Sequence, residues 1–253
     1  MRSRHDVYLN GIALSSIHPA LIVLDIQYPI TSVNSTTATL AQRDGSTLLT
    51  QRRAAARVDI TFELHIYSTV ERQQACAQVV AWAMAGGLLT TSDRPGQQLR
   101  VKCLTAPSIT SASKWTQSLT VSFTAYERPY WEEINQVSLT LTGTSNQGTL
   151  YVPGNAGQTV LEVTVKPAST MANITLTADT TMTLTGVAAA AASPLVIDYD
   201  ERMIQRIKRG TVSVLDKRTG ADDLLVTCGQ YNTISYSASA NVNAVFLARG
   251  VWL

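Results

Sequence analysis

Val58-Asp59-Ile60-Thr61-Phe62-Glu63-Leu64-His65-Ile66-Tyr67 alternates apolar and polar residues without a break. In an extended chain successive side chains point to opposite faces. Val58, Ile60, Phe62, Leu64 and Ile66 therefore mark a buried face, and Asp59, Thr61, Glu63, His65 and Tyr67 a second face open to solvent or a partner. Directly after it the period lengthens to about 3.6 residues. Ser68 is placed to cap a helix over residues 69–85, with Glu71 three residues on as in a capping box. Val70, Cys76, Val79, Val80, Ala83 and Met84 form its expected apolar side, and Gly86-Gly87 ends it, since glycine accepts a left-handed cap without steric cost.

Working outward, residues 36–40 and 47–53 flank Gln42-Arg43-Asp44-Gly45-Ser46, where Asp-Gly supplies the positive backbone angles of a tight hairpin turn. Arg52, Arg53 and Arg57 gather at the base of this arm. Downstream come a turn at Ser92-Asp93-Arg94-Pro95-Gly96, a strand over 99–104 and an alternating strand carrying Leu119, Val121, Phe123 and Ala125. Hairpin, strand, helix and further strands make an α+β unit dominated by antiparallel sheet. At Glu127-Arg128-Pro129-Tyr130-Trp131-Glu132-Glu133 the texture changes: proline holds Arg128 extended, and Tyr130 and Trp131 are suited to packing between two domains. The expected domains are residues 1–133 and 134–253. The second reads as many short strands, among them 137–142, 148–152, 233–237 and 244–248, with 188–192 as a connection and the whole a β-sandwich of jelly-roll kind.

The 253 residues are 45% apolar and only 15% charged, with 20 basic and 18 acidic side chains and a net charge of +2. Ser and Thr make up about a fifth of the chain, against about a quarter charged in an ordinary protein. This excludes a disordered chain, and the near-neutral balance argues against a nucleic-acid binder. Only Lys102, Lys114, Lys166, Lys208 and Lys217 are lysines; the other basic residues are arginine, which suits partly buried pairs and interfaces. Cys76, Cys103 and Cys228 are odd in number and widely spaced, as expected of free buried thiols. The start has no apolar stretch of secretory type, and no run reaches the ~18 apolar residues of a membrane helix. Synthesis and folding in the cytoplasm are expected.

Catalytic constellations are thin. There is no G-x-S-x-G elbow, no glycine-rich phosphate loop and no H-E-x-x-H helix, and of the histidines only His65 lies in a clear element. Asp198 and Asp200 share one strand face; they could hold calcium or a sugar, act as acid and base, or form a solvated strand end countered by Arg206. No enzyme, cofactor or metal is expected. The aromatics Tyr151, Tyr199, Tyr231, Tyr236, Phe246 and Trp252 leave a carbohydrate-binding protein as the alternative from another class.

The ordered succession of the alternating strand, the capped helix, Leu89-Thr90-Thr91-Ser92-Asp93-Arg94-Pro95-Gly96 and Phe123-Thr124-Ala125 leading to Pro129-Tyr130-Trp131 resembles the N-terminal domain of the distal tail proteins of long-tailed, non-contractile bacteriophages. Arg43-Asp44-Gly45-Ser46 and the approach from Arg52-Arg53 to Arg57 are similar too, and the resemblance covers residues 6–133. Leu195-Val196-Ile197-Asp198, Gly229-Gln230-Tyr231-Asn232 and Arg249-Gly250-Val251-Trp252 resemble the family's galectin-like C-terminal sandwich, although Cys228 stands where a proline is more usual.

The resemblance implies a virion protein of the tail tip, made in the host cytoplasm. Its N-terminal domains would form a homo-oligomeric, hexameric ring, with the C-terminal domains projecting outward. The ring joins the tail tube protein to a hub or tail-associated lysin, often anchors receptor-binding proteins, and meets DNA only as it passes through. Tail-tube or other baseplate proteins are the nearest alternative. Expected ring contacts are Arg43, Asp44, Gly45, Arg52, Arg53, Arg57, Asp59, Thr61, Glu63 and His65, with Tyr130 and Trp131 packing between the domains.

Overall fold

A computed structural model describes residues 5–29, 32–39, 46–200 and 202–253. The chain divides into two compact units, Met1–Tyr130 and Trp131–Leu253. In the first, strands β1 (Val7–Leu9) and β2 (Ile12–Ala13) precede β3 (Leu21–Gln27), the hairpin strands β4 (Val33–Thr39) and β5 (Ser46–Arg53), and β6 (Ala56–His65). Helix α1 (Thr69–Ala85) follows, then β7 (Gly87–Thr91), β8 (Gln97–Val101), β9 (Ser108–Ser111) and β10 (Thr116–Ala125). One sheet runs in the order β3-β6-β10-β9, β1, β2, β7 and β8 pair in the order β2-β1-β7-β8, and β4-β5 stands as its own two-stranded arm.

The alternation of β6 is realised residue by residue. Val58, Ile60, Phe62 and Leu64 are buried and lie opposite Phe123, Val121, Leu119 and Gln117 of β10. Helix α1 closes this face: Val79 and Ala83 are fully buried, and Trp82 meets Phe123 edge-on at 5.9 Å while its Nε1 donates to the Ile12 carbonyl at 3.2 Å. Ser68 caps the helix by accepting from the Glu71 amide at 3.3 Å. The Glu71 carboxylate instead meets His18 Nε2 at 3.2 Å, so only half of the capping box is used. The apolar side also differs from expectation: Ala75 and Trp82 are buried with Cys76, Val79 and Ala83, whereas Val70 and Met84 are exposed. The buried stripe centres on Val79, and at 3.6 residues per turn Val70 and Met84 fall on the opposite side of the helix.

Past the helix, Gly87 has φ +125°, and a β-carbon there would lie 2.1 Å from the Asn10 side chain. That amide clamps the turn, donating to the Gly86 carbonyl at 2.8 Å and accepting from the Leu88 amide at 2.9 Å. The root of the arm is pinned as well. Tyr28, just after β3, places its hydroxyl 2.7 Å and 2.8 Å from the Asp93 carboxylate oxygens and 2.9 Å from Thr91 Oγ1, with the Arg94 guanidinium over its ring at 4.8 Å. Burial, with the Asp93 charge adding to it, pushes the Tyr28 phenol well above its ordinary value. Burial alone would raise Asp93, but the hydrogen bonds from Tyr28 and Thr91 outweigh it and hold the carboxyl low.

The second unit contains β11 (Trp131–Glu133), β12 (Val137–Val152), β13 (Gln158–Pro167), β14 (Met171–Thr177), β15 (Thr181–Ala189), β16 (Leu195–Tyr199), β17 (Gln205–Arg209), β18 (Val212–Ser213), β19 (Arg218–Gly220), β20 (Leu225–Thr227), β21 (Gln230–Ala248) and β22 (Val251–Trp252). Most join one antiparallel sheet in the order β18-β17-β16-β13-β21-β14-β15-β19, with β12 also paired to β21. The mainly-β class with a single α-helix among the described residues is therefore the class expected. The strand count is not. Residues 137–142 and 148–152 belong to one strand, as do 233–237 and 244–248, because β12 and β21 pair along almost their whole length, from Val137 opposite Ala248 to Val152 opposite Gln230. On β12 the intervening polar residues Ser145, Asn146 and Gln147, which look like loop, pair with β21, but residues 238–241 of β21 have no partner on β12; there Ser239 Oγ accepts the Ala172 and Asn173 amides and the Asn241 carbonyl accepts the Ala168 amide at 2.8 Å. The one irregularity, between Gly143 and Ser145, is braced by Tyr236 donating its hydroxyl to the Gly143 carbonyl at 3.0 Å. Residues 188–192 are connection only in part, since β15 runs to Ala189.

Ile60→Asp, which would bury an unpaired charge, is expected to abolish cooperative unfolding by circular dichroism, whereas Ser68→Ala removes only the cap and should cost about 1 kcal/mol in a denaturant titration. Tyr28→Phe removes a hydrogen bond to a carboxylate and should cost about 1.5 kcal/mol at neutral pH. In the native chain the raised phenol contributes stability that is complete below pH ~10 and lost as pH rises beyond it, because the unfolded state gives up the proton first. Thermal melts above pH ~10 should therefore show a smaller loss in the phenylalanine variant than in the native chain.

Candidate functional site

The residues expected to make contacts cluster on the outer face of the β3-β6-β10-β9 sheet and on the arm. Because Val58, Ile60, Phe62 and Leu64 face α1, the pleat turns Asp59, Thr61, Glu63 and His65 to the opposite side. Across β10 they face Ser122, Thr120, Ser118 and Thr116. On the other side, Gln27, Asp25 and Ile22 of β3 face Asp59, Thr61 and Glu63, and on β9 Ser108 and Thr110 continue the rows of Thr120 and Ser118. The result is a broad face of hydroxyls with interspersed charges.

Its polar groups are largely engaged with one another. The Asp59 carboxylate accepts from Ser122 Oγ at 2.6 Å and from Arg57 Nε at 2.8 Å, and Arg57 Nη2 also donates to Ser122 Oγ at 3.2 Å. Arg57 keeps 57% of its side chain exposed, whereas Asp59 keeps only 17%, so the ion pair presents its cationic half outward. Thr61 and Thr120 hydroxyls lie 3.5 Å apart. His65 Nδ1 is 2.8 Å from Thr116 Oγ1, and its ring meets the edge of Tyr67, which in turn stacks at a tilt on Trp115, both at 5.3 Å. Lys114 Nζ sits 4.6 Å from the Trp115 ring centroid. Tyr67 is 69% and Trp115 38% exposed, so this end of the face carries an open aromatic patch.

The titratable groups Asp59 and His65 of this face are engaged with neighbours. His65 is paired with a hydroxyl and a ring, not with a carboxylate that would orient it as a base. The other acidic pair is also occupied: Asp198 Oδ1 takes Arg206 Nε at 2.7 Å, and Asp200 accepts the Arg202 and Ile204 amides at 2.8 Å and 2.9 Å. The Ile204 amide, then that of Arg202, hold the Asp200 carboxyl below its ordinary value. Among the described residues no group of three or more His, Cys, Asp or Glu side chains could hold a metal ion, and no helix is long and apolar enough to cross a membrane.

The structure places the sequence candidates unevenly. Arg57, Asp59, Thr61, Glu63 and His65 share one face. The arm is present, with Val33 opposite Arg53 and Thr39 opposite Ser46, and its base is closed by the Ala54 amide on the Ser32 carbonyl at 2.9 Å. Arg53 lies half-buried at that base, and Arg52 pairs through its backbone with Asn34. Arg43, Asp44 and Gly45 lie outside the described residues. Tyr130 ends the first unit; Trp131, on β11 of the second, pairs with Trp252 of β22, whose indole donates to Glu133 Oε1 at 2.8 Å.

Sequence reasoning missed the β10 hydroxyls and Trp115. The former had a signal, since Thr116, Ser118, Thr120 and Ser122 are the polar half of the same alternation that marks Leu119, Val121 and Phe123 as core. Trp115 had none, because it reaches Tyr67 only through β10–β6 pairing, which brings the Ile66 amide onto the Trp115 carbonyl at 3.0 Å.

No protein-family model and no curated protein sequence matches the chain. Among solved structures it is similar to the SPP1 Dit protein, described as a paradigm of the hub adsorption apparatus in phages infecting Gram-positive bacteria. The TM-score is 0.71 at 12% identity, over 97% of this chain and 98% of that one. It is also similar to a chain of the phage p2 baseplate in its activated, calcium-containing conformation, at TM-score 0.45 and 10% identity over 97% of each chain. The first likeness covers nearly the whole of both chains, and the distal tail protein fold expected from the sequence is the fold of this chain.

Proposed function

We propose that this chain is a structural component of a bacteriophage tail tip, a distal tail protein that assembles as a ring and joins the tail tube to the hub and host-adsorption apparatus. The observation that carries this reading is the end-to-end fold likeness to SPP1 Dit, a protein of a hub adsorption apparatus. The N-terminal domain, residues 1–133, forms the ring, and the galectin-like domain, residues 134–253, projects from it. The role is mechanical rather than enzymatic, in a virion, with the tube protein, a hub or tail-associated lysin and receptor-binding proteins as partners. DNA meets the ring only in passage, and a net charge of +2 gives it little reason to stick.

The physical support lies in the first unit. An arm that is its own two-stranded sheet leaves strand edges to be completed by another chain. Arm and outer face lie on different parts of one unit, so a contact between one copy's arm and the next copy's face is heterologous, the kind that forms a ring when its rotation closes, and we take it to close at six copies. Tyr67 and Trp115 supply the exposed aromatic anchors that such contacts favour, while Arg57, Asp59 and Glu63 supply charge that fixes register.

Negative-stain images and light-scattering mass of the purified chain should show closed six-membered rings with a central hole. A strictly monomeric species at high concentration would count against the ring. Deleting residues 42–46, or replacing His65 by Ala, should leave the monomer's melting temperature intact while lowering the salt concentration at which rings dissociate. Rings unchanged in size and salt resistance would show that the arm and the β6 face are not the interface.

A further inference from the structure

Four mutually paired strands of the second unit, β12, β21, β14 and β15, contain no Asp, Glu, Lys, Arg or His. Their inner faces carry core residues such as Leu150, Ile234, Leu176 and Leu184. Their outer faces align into rows. Ser145 lies opposite Ser237, which lies opposite Thr175, which lies opposite Thr183. One step along the face, Gln147, Ser235, Thr177 and Thr181 repeat the pattern. A shallow depression of about 450 Å³ opens over the β12, β21 and β14 members of these two rows.

The same face ends in aromatics. Tyr151 and Tyr231 are cross-strand partners, their rings tilted at 55° with centroids 5.1 Å apart, and they are 46% and 75% exposed. From the tyrosines to Ser145 is six strand residues, so rows and rings together form a continuous stripe about 20 Å long.

We propose that this stripe is a binding site for an uncharged polysaccharide chain. A sugar ring presents an apolar C–H face, which stacks on exposed tyrosine, and an edge of hydroxyls, which need partners able both to donate and to accept. Ser, Thr and Gln side chains offer both. Seating a neutral glycan on a neutral face buries no unpaired charge. An anionic polymer would call for Arg or Lys, which these strands lack. A protein partner would favour an apolar centre with a polar rim, whereas here the polar rows occupy the middle and the aromatics one end. The site does not depend on ring assembly.

Titration calorimetry of the full chain with cellohexaose and with maltohexaose, and with polyglutamate as the anionic control, tests the proposal. Saturable heat is expected with at least one of the two oligosaccharides and none with polyglutamate. Tyr231→Ala should weaken that binding about tenfold through lost stacking, and Ser237→Asp should abolish it, both without change in melting temperature. Three outcomes would overturn the proposal: no heat with either sugar; sugar binding untouched by both substitutions; or loss of self-association in Ser237→Asp without any sugar binding by the native chain, which would make the face a protein interface.

Discussion

The first unit depends on β6, which is hydrogen-bonded to a strand on each side and covered by a helix on one face only. A strand with period two cannot hide both sets of side chains beneath one helix. Burying Val58, Ile60, Phe62 and Leu64 obliges Asp59, Thr61, Glu63 and His65 to form an open face, and ladder pairing on each side extends that face across three further strands. A slip of one residue would turn every one of these side chains over, so the core that stabilises the unit also fixes which residues it displays. The Tyr28–Asp93 hydrogen bonds then tie the chain leaving this sheet to the β7–β8 turn at the root of the arm, so that arm and face are positioned by the same body.

In the second unit β21 plays the corresponding part. Its first half is flanked by β12 and β14 and its second half by β12 and β13, so one continuous strand organises several neighbours at once. The register shifts between Gly143 and Ser145, and Tyr236, buried under the sheet, donates its hydroxyl to the Gly143 carbonyl at that point. Such a strand can be long because its alternation persists: Ile234, Tyr236, Ala240, Val242, Ala244, Phe246 and Ala248 remain inward along its whole run.

How much of this was legible follows from the range of the interactions. The β6 alternation, the Ser68 cap and the Gly86-Gly87 stop are local, and each occurs where the residues place it. The helix face was read wrongly at Val70 and Met84, which at 3.6 residues per turn lie on the side away from Val79, so the spacing itself held the correction. Residues 145–147 look like loop by composition, and only β21 lying opposite makes them strand. The aromatic patch at Tyr67 and Trp115, and the joining of Tyr151 to Tyr231, arise from residues far apart in the chain brought together by register. Of the candidate face, the half on β6 was visible and the half on β10 was present in the same alternation but unread.

The low charge of the chain acquires a structural meaning from these two outer faces. On β6 and its neighbours, hydroxyl rows are punctuated by Arg57, Asp59 and Glu63, and the ion pair there is shared with Ser122, so orientation matters and a mismatched partner meets an unpaired charge. On β12, β21, β14 and β15 the hydroxyl rows are not punctuated at all, and the only strongly shaped feature is the tyrosine pair at one end. Hydroxyls solvate both faces at low cost, but only the first can select a partner by charge. The second must select by shape, stacking and hydrogen bonds in both directions. A composition rich in Ser and Thr thus serves two surfaces whose recognition chemistry differs, and what distinguishes them is where the few charges of the chain have been left out.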